Sequence, residues 1–149
     1  MVKNLQIFSE ESLLKKKAVH SLVSSLKSEL KLGISFLSIS IITSSELRQL
    51  NKKHLKHDYN TDIITFNYSN VKNNIDGEIL ISFEDAMLNS KKYKVKYEVE
   101  ILRLIVHGFL HLIGFNDNNK KNKIKMKSME NKLINKYNFT LLAGGDRRI

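Results

Sequence analysis

The chain has 149 residues, 42% of them apolar, no cysteine and a formal net charge of +10. That length is enough to bury a core as one domain spanning residues 1–149. Disulfides, thiolate metal sites and cysteine nucleophiles are excluded, and no apolar run approaches the roughly eighteen residues of a membrane helix. With 21 lysines against four arginines, the charge has two readings: attraction to a polyanion such as RNA through counterion release, or compositional drift toward Lys, Asn and Ile. The opening MVKNLQIFSEESLLKKK carries acids early and only a short apolar run. It does not read as a signal peptide, and a cytoplasmic location is expected.

In chain order, NLQIF (4–8) predicts a short strand and 9–32 a helix. Leu13, Leu14, Val19, Leu22, Val23, Leu26 and Leu30 recur there at helical spacing. Ser9 or Ser12 is the expected N-cap, and Gly33 the C-cap. His20 reads as a surface or half-buried helix residue. Residues 34–43 alternate as a strand, and 43–55 read as a helix opened by a Thr43/Glu46 capping box. After a loop at 56–61 come strands at 62–69 and 78–83, joined by a turn-rich stretch that ends in Asp76-Gly77. Asp58, Thr61 and Asp62 read first as turn and capping residues. A helix follows at 84–95, with acids in its first turn. The helix at 96–114 is apolar on nearly every face beyond Ile101, as a buried helix is. A last amphipathic helix covers 123–139, and the tail 143–149 is expected to fray. The fold class is α+β: a small mixed sheet with one central buried helix.

That buried helix carries HGFLHLIGFND (107–117). Residues four apart share a helix face, so His107 and His111 point the same way. Two desolvated imidazoles need partners. Gly114 can turn the chain back, and Asp117 lies on the return. Zinc takes imidazole nitrogen and carboxylate oxygen, and catalytic sites keep about three protein ligands. The set His107, His111 and Asp117 therefore predicts a site for one Zn2+ per chain. The spacing also fits the H-E-x-x-H-x-x-G-x-x-H frame of zinc endopeptidases. Gly108 stands where their general base would be, so peptide hydrolysis is disfavoured.

The same stretch resembles the H-G-x-L-H-L-x-G-[YF]-x-[HD] signature of the YbeY family, the bacterial rRNA maturation factors. ELRQLNKKHLKHDYNTDIITFNY (46–68) resembles a second family block at Leu50, Asn51, Asp58, Thr61, Asp62 and Phe66, and GEILIS (77–82) resembles its G-D-I-x-I-S strand. The resemblance covers roughly residues 35–135, in the family's order. It implies a zinc-dependent, single-strand-specific endoribonuclease of small-subunit rRNA 3′-end maturation and ribosome quality control, with RNA and the small ribosomal subunit as partners. It carries His107 and His111 over as ligands. Most members have His, after Asp, as the third ligand; here Asn116 and Asp117 stand there. Many members also carry an Arg where this chain has Leu55. Lys52, Lys53, His54, Lys56 and His57 lie nearby as candidate RNA contacts, without the guanidinium fork. No residue stands out as a general base, and attack by the RNA's own 2′-hydroxyl or by solvent both stay open. The competing reading is a non-catalytic ribosome assembly factor with a structural metal.

Overall fold

The structure, a computed structural model, describes residues 2–9, 14–55 and 61–137. Nine elements run in the order β1 (Leu5–Ser9), α1 (Lys16–Leu30), β2 (Gly33–Ile42), α2 (Ser44–Leu55), β3 (Ile63–Asn67), β4 (Asn74–Ser82), α3 (Phe83–Tyr93), α4 (Tyr97–Leu112) and α5 (Lys120–Lys136). The four strands form one mixed sheet in the order β1-β2-β4-β3. The β1–β2 and β2–β4 pairs are parallel and β3–β4 is antiparallel. This is the mixed α+β architecture expected from the sequence.

Register sorts the side chains. Leu5 and Ile7 lie opposite Leu37 and Ile39, which lie opposite Gly77 and Ile79. Because side chains alternate along a strand, these residues stand on one face of the sheet. That face is buried, and α4 lies against it: a Cβ on Gly108 would sit 2.9 Å from Ile79 Cγ2 and 3.1 Å from Ile63 Cδ1. Eleven of the sixteen residues of α4 are buried, so it is the central core helix. Val19, Leu22, Val23 and Leu26 of α1 and Met126 and Leu133 of α5 join the same core. The opposite face carries Phe66, whose ring meets His54 of α2 edge-on at 5.7 Å.

Several boundaries differ from the sequence expectation, each for a physical reason. Ser9 is not a helix cap; it is the last residue of β1 and pairs with Ile41. The helix begins at Lys16, behind Lys15, because Leu14 is already buried in the core outside the helix. Ser12 lies outside the described residues. Gly33 is not the C-cap of α1. Lys31 turns left-handed two residues earlier (φ 55°), and the Leu32 N–H donates to the Lys27 carbonyl. Asp76-Gly77 is not a turn but the middle of β4. Gly77 is needed there for close approach, since a Cβ would lie 2.4 Å from the Phe66 carbonyl oxygen. The reversal comes earlier, where Asn73 has φ 59°. Helix α5 starts three residues before position 123, because the Asn119 side chain accepts from the Asn122 N–H at 2.8 Å. The Thr43/Glu46 capping box forms: Glu46 N–H donates to Thr43 Oγ1 at 3.1 Å, and Thr43 N–H to Glu46 Oε1 at 3.3 Å. The tail 143–149 lies outside the described residues.

Lys94 closes α3 in the same left-handed way as Lys31 (φ 56°), with Val95 N–H donating to the Ser90 carbonyl at 3.0 Å. A left-handed lysine costs about 1 kcal/mol relative to glycine. Lys31→Gly and Lys94→Gly are therefore each expected to stabilise the chain by up to about 1 kcal/mol in urea denaturation. Gly77→Ala is expected to lose about 3 kcal/mol. Unchanged midpoints in both lysine variants would show that no strain is held at these caps.

Candidate metal centre

Helix α4 sets His107 and His111 one turn apart on its solvent-leaning side. Both are half-buried, in a helix that is otherwise mostly buried. The helix ends in a Schellman closure. Gly114 N–H donates to the His111 carbonyl at 3.1 Å and Phe115 N–H to the Leu110 carbonyl at 3.0 Å. This requires a left-handed residue at Gly114, whose φ is 109°. The reversal brings exposed Asp117 back to the two imidazoles. One ligand atom from each of His107, His111 and Asp117 lies within 4.8 Å of the others.

The donor atoms suit a metal. The two Nε2 atoms face each other at 3.0 Å, with the rings at 78°. Zinc–nitrogen bonds of about 2.0–2.1 Å place tetrahedral ligand atoms about 3.3 Å apart, close to that separation. His107 Nδ1 is hydrogen-bonded to Glu130 Oε2 from α5. That bond leaves the Nε2 lone pair directed at His111. A carboxylate behind a ligating imidazole fixes its tautomer and orientation and raises its basicity. Burial disfavours a charge on His107, but the hydrogen bond and charge of Glu130 outweigh it and hold the pKa above the usual value. Burial and the neighbouring His107 push His111 below it, so His111 stays neutral more readily.

The site opens onto a cleft of about 450 Å³. Asp62, Asn89 and Glu100 lie in it, and Arg103, Lys127 and Glu130 line it together with His107. A smaller opening of about 250 Å³ shares His107, Lys127 and Glu130 and includes Asp117. Arg103 Nη1 reaches Glu130 Oε1 at 3.4 Å and Asn131 Oδ1 at 3.3 Å. Asn89 Nδ2 donates to Asp62 Oδ2 at 2.8 Å and, more weakly, to Glu100 Oε2 at 3.4 Å. Glu100 is only 3% exposed, and its pKa is raised, first by burial and also by the nearby Asp62 charge.

A family model described as endoribonuclease YbeY matches residues 3–138. The chain belongs to the YbeY family. Proteins named endoribonuclease YbeY are similar to it. That of Chlorobium limicola is 38% identical over 91 residues, 61% of this chain and 62% of that protein. That of Parabacteroides distasonis is 32% identical over 121 residues, 81% of this chain and 84% of that protein. The matches to the first curated relatives, from Chlorobium limicola and Bacteroides fragilis, span 62% and 66% of those proteins' length. The solution structure of TM1509 from Thermotoga maritima shares the fold, with a TM-score of 0.60, 24% identity and coverage of 90% of this chain and 91% of that one.

Against the YbeY resemblance, the structure brings the three metal candidates together but keeps Lys52, Lys53 and His54 elsewhere. Those three are exposed in the last turn of α2, and none lines the cleft. Lys56, His57 and Asp58 lie outside the described residues, and Leu55 closes α2. Thr61 behaves as a local capping residue, its hydroxyl donating to the Ile63 carbonyl at 3.1 Å. Asp62 does more than cap: its carboxylate faces the cleft. His20 is half-buried, its Nδ1 accepting from the Val2 N–H at 3.2 Å.

Sequence reasoning missed Glu130, Arg103 and Glu100. Two signals were there. Glu130 is the only acid in the Lys-rich helix α5, and it falls four residues after Met126 and three before Leu133, on the apolar side of that helix, where an acid needs a partner. Arg103 precedes His107 by four residues and shares its helix face.

Glu130→Ala should weaken metal binding by about 10- to 100-fold, read by chelator competition, with the helical circular dichroism retained. Unchanged affinity would remove Glu130 from the site. Glu100 gives a pH prediction. Its acid form is favoured by folding, so its stability contribution is present below the unfolded pKa and is lost as pH rises through the folded value. Glu100→Gln should therefore be more stable than the parent at pH 7, and the gap should close near pH 4 in urea titrations.

Proposed function

We propose that residues 1–149 act as a single metal-dependent hydrolase domain, an endoribonuclease specific for single-stranded RNA. The convergence of His107 Nε2, His111 Nε2 and the Asp117 carboxylate beside the cleft carries this reading; the family relatives named endoribonuclease YbeY supply its substrate class. Zinc is the ion proposed, since two imidazoles and a carboxylate on a short i, i+4 frame suit it. Late small-subunit rRNA maturation at the 3′ end, with ribosome quality control, is the proposed setting. The small ribosomal subunit is the proposed partner and the cytoplasm the proposed location. Among the described residues no helix is long and apolar enough to cross a membrane.

When bound, the ion would supply Lewis acidity toward a phosphoryl oxygen. The chain does the rest. His107, His111 and Asp117 hold the ion, and Glu130 fixes the His107 ring behind it. Arg103 and Lys127 place positive charge at the cleft wall next to His107, where a phosphate approaching the site would meet them. Their position offers a cationic partner at a chain where Leu55 replaces the family's usual Arg. The exposed lysines, including Lys52 and Lys53 with His54, would hold the RNA backbone at longer range, together with the neighbouring Lys56 and His57.

The peptidase reading loses its remaining support at Gly108. Its Cα faces the buried sheet, with Ile79 and Ile63 within 3.2 Å of any added Cβ, so a carboxylate at this position would enter the core and not the metal site.

Elemental mass spectrometry of the purified chain is expected to find about one zinc per chain, lost in His107→Ala and Asp117→Ala. Cleavage of a single-stranded RNA should stop on chelation, return with zinc and weaken steeply with rising salt. Zinc retained in Asp117→Ala would break the ligand assignment. Metal-loaded protein that binds rRNA without cutting it would favour the assembly-factor reading.

A further inference from the structure

The cleft beside His107 has a polar layout that phosphate binding does not explain. Its floor is acidic. Asp62 Oδ2 and Glu100 Oε2 both receive the Asn89 amide, at 2.8 and 3.4 Å. Two carboxylates at the floor repel a phosphate. They do not read as a second cation site either, because a donor N–H2 group stands between them where a cation would need acceptors. Apolar Ile63, Val95 and Leu104 and the aromatic Tyr93 also line the cleft. Tyr93 is 59% exposed, an aromatic ring with, among the described residues, only the flexible Lys92 side chain over it, Nζ 5.4 Å from the centroid. The cations Arg103 and Lys127 lie with His107 along the same cleft. A volume of about 450 Å³ is in the range of a small-ligand pocket and holds one nucleoside, not a strand.

These features fit a nucleotide: a flat base in the apolar slot, its hydrogen-bonding edge on the acidic floor and its phosphate toward the cations. Unpaired RNA bases are read on their edges and stacked on aromatic rings. An acceptor floor selects a donor edge. Guanine presents N1–H and N2–H2 side by side, two donors that one carboxylate can accept together. Adenine and cytosine present one amino group beside a ring acceptor. Uracil presents one N–H between two carbonyl oxygens, which would face the carboxylates.

We propose that this cleft is a nucleobase subsite that holds one unpaired guanine next to the bond under attack, read by Asp62 and Glu100 and stacked on Tyr93. The inference rests on the endoribonuclease reading for its place in a reaction, but the binding step can be tested without cleavage.

The test uses the zinc-loaded full chain and two probes with identical phosphates, guanosine 5′-monophosphate and uridine 5′-monophosphate, titrated by amide NMR. The guanosine nucleotide should bind at least about ten-fold tighter, with shifts at Asn89, Glu100 and Leu104. Glu100→Gln, which sets an amide donor against the guanine donors, should cut that preference about ten-fold with zinc content unchanged. Tyr93→Ala, on an exposed side chain, should weaken both nucleotides alike by roughly ten-fold. Equal binding of the two nucleotides, or shifts away from the cleft, would overturn the subsite. Parallel cleavage assays separate the two claims. RNA cut by a chain that binds both nucleotides equally sinks the subsite alone. Selective guanosine nucleotide binding with no RNA cleavage sinks the nuclease reading and leaves the subsite standing.

Discussion

The hydrogen bond between His107 Nδ1 and Glu130 Oε2 joins the two helices on which the site depends. Helix α4 is committed to the core by its apolar faces, so its imidazoles have little freedom to search for partners. Helix α5 is the opposite case: a Lys-rich surface helix with only four buried residues, one of which is Glu130. Placing a carboxylate of α5 against an imidazole of α4 satisfies a buried acid and a half-buried base at once. It also assigns the nitrogens: Nδ1 is taken from behind, and Nε2 is left for the open side, where His111 stands 3.0 Å away. Arg103 reaches the other oxygen of the same carboxylate. The acid thus orients an imidazole on one side and a guanidinium on the other. A further polar tie of α5 lies at its far end: Lys136 Nζ reaches Glu29 of α1 at 2.6 Å.

Legibility followed range. What could be read from the sequence was local. The Thr43/Glu46 box, the Gly114 reversal and the i, i+4 histidines each involve residues within a few positions, where spacing fixes geometry. The triad was legible because all three members lie within eleven residues joined by a helix and its Schellman closure. Long-range partners left a weaker trace. Glu130 is 23 residues from His107, and the Asn89–Asp62 contact spans 27. Neither spacing implies contact without the sheet order. Turn chemistry misled at Asp76-Gly77, where glycine serves close strand approach, and at Gly33, where a lysine two positions earlier took the left-handed cap.

Glycine at 108 shows how one packing demand narrows the chemistry a metal frame can support. The position after the first histidine of an H-x-x-x-H helix lies about 100° round the helix from that histidine, so what packs beside the helix there decides whether a side chain fits. In this chain that direction is the sheet, and Ile63 and Ile79 fill it. A general base cannot be supplied from there without withdrawing α4 from the core, so any proton-handling group must come from another element or from the substrate. The fold answers by crowding polar side chains into the neighbouring cleft: Asp62 just before β3, Asn89 of α3, Glu100 and Arg103 of α4, and Lys127 and Glu130 of α5.

Charge is distributed with the same logic. The chain carries 25 basic and 15 acidic residues, yet the cleft beside His107 gathers Asp62, Glu100 and Glu130 against Arg103 and Lys127. A basic exterior beside an acid-rich cleft separates two kinds of field that uniform charge would confuse. Long-range attraction to a polyanion needs only net positive charge at the surface and is indifferent to sequence. The proposed metal site and base subsite would instead need acceptors at fixed positions, such as the Asp62 and Glu100 carboxylates held by the Asn89 amide. Glu100 illustrates the cost of that arrangement. An acid 3% exposed inside the most apolar helix is held against its own desolvation, and the Asn89 amide is the partner that makes its burial tolerable. A chain under selection for stability alone would place an apolar residue there, as it does at the adjacent Ile101 and Leu102.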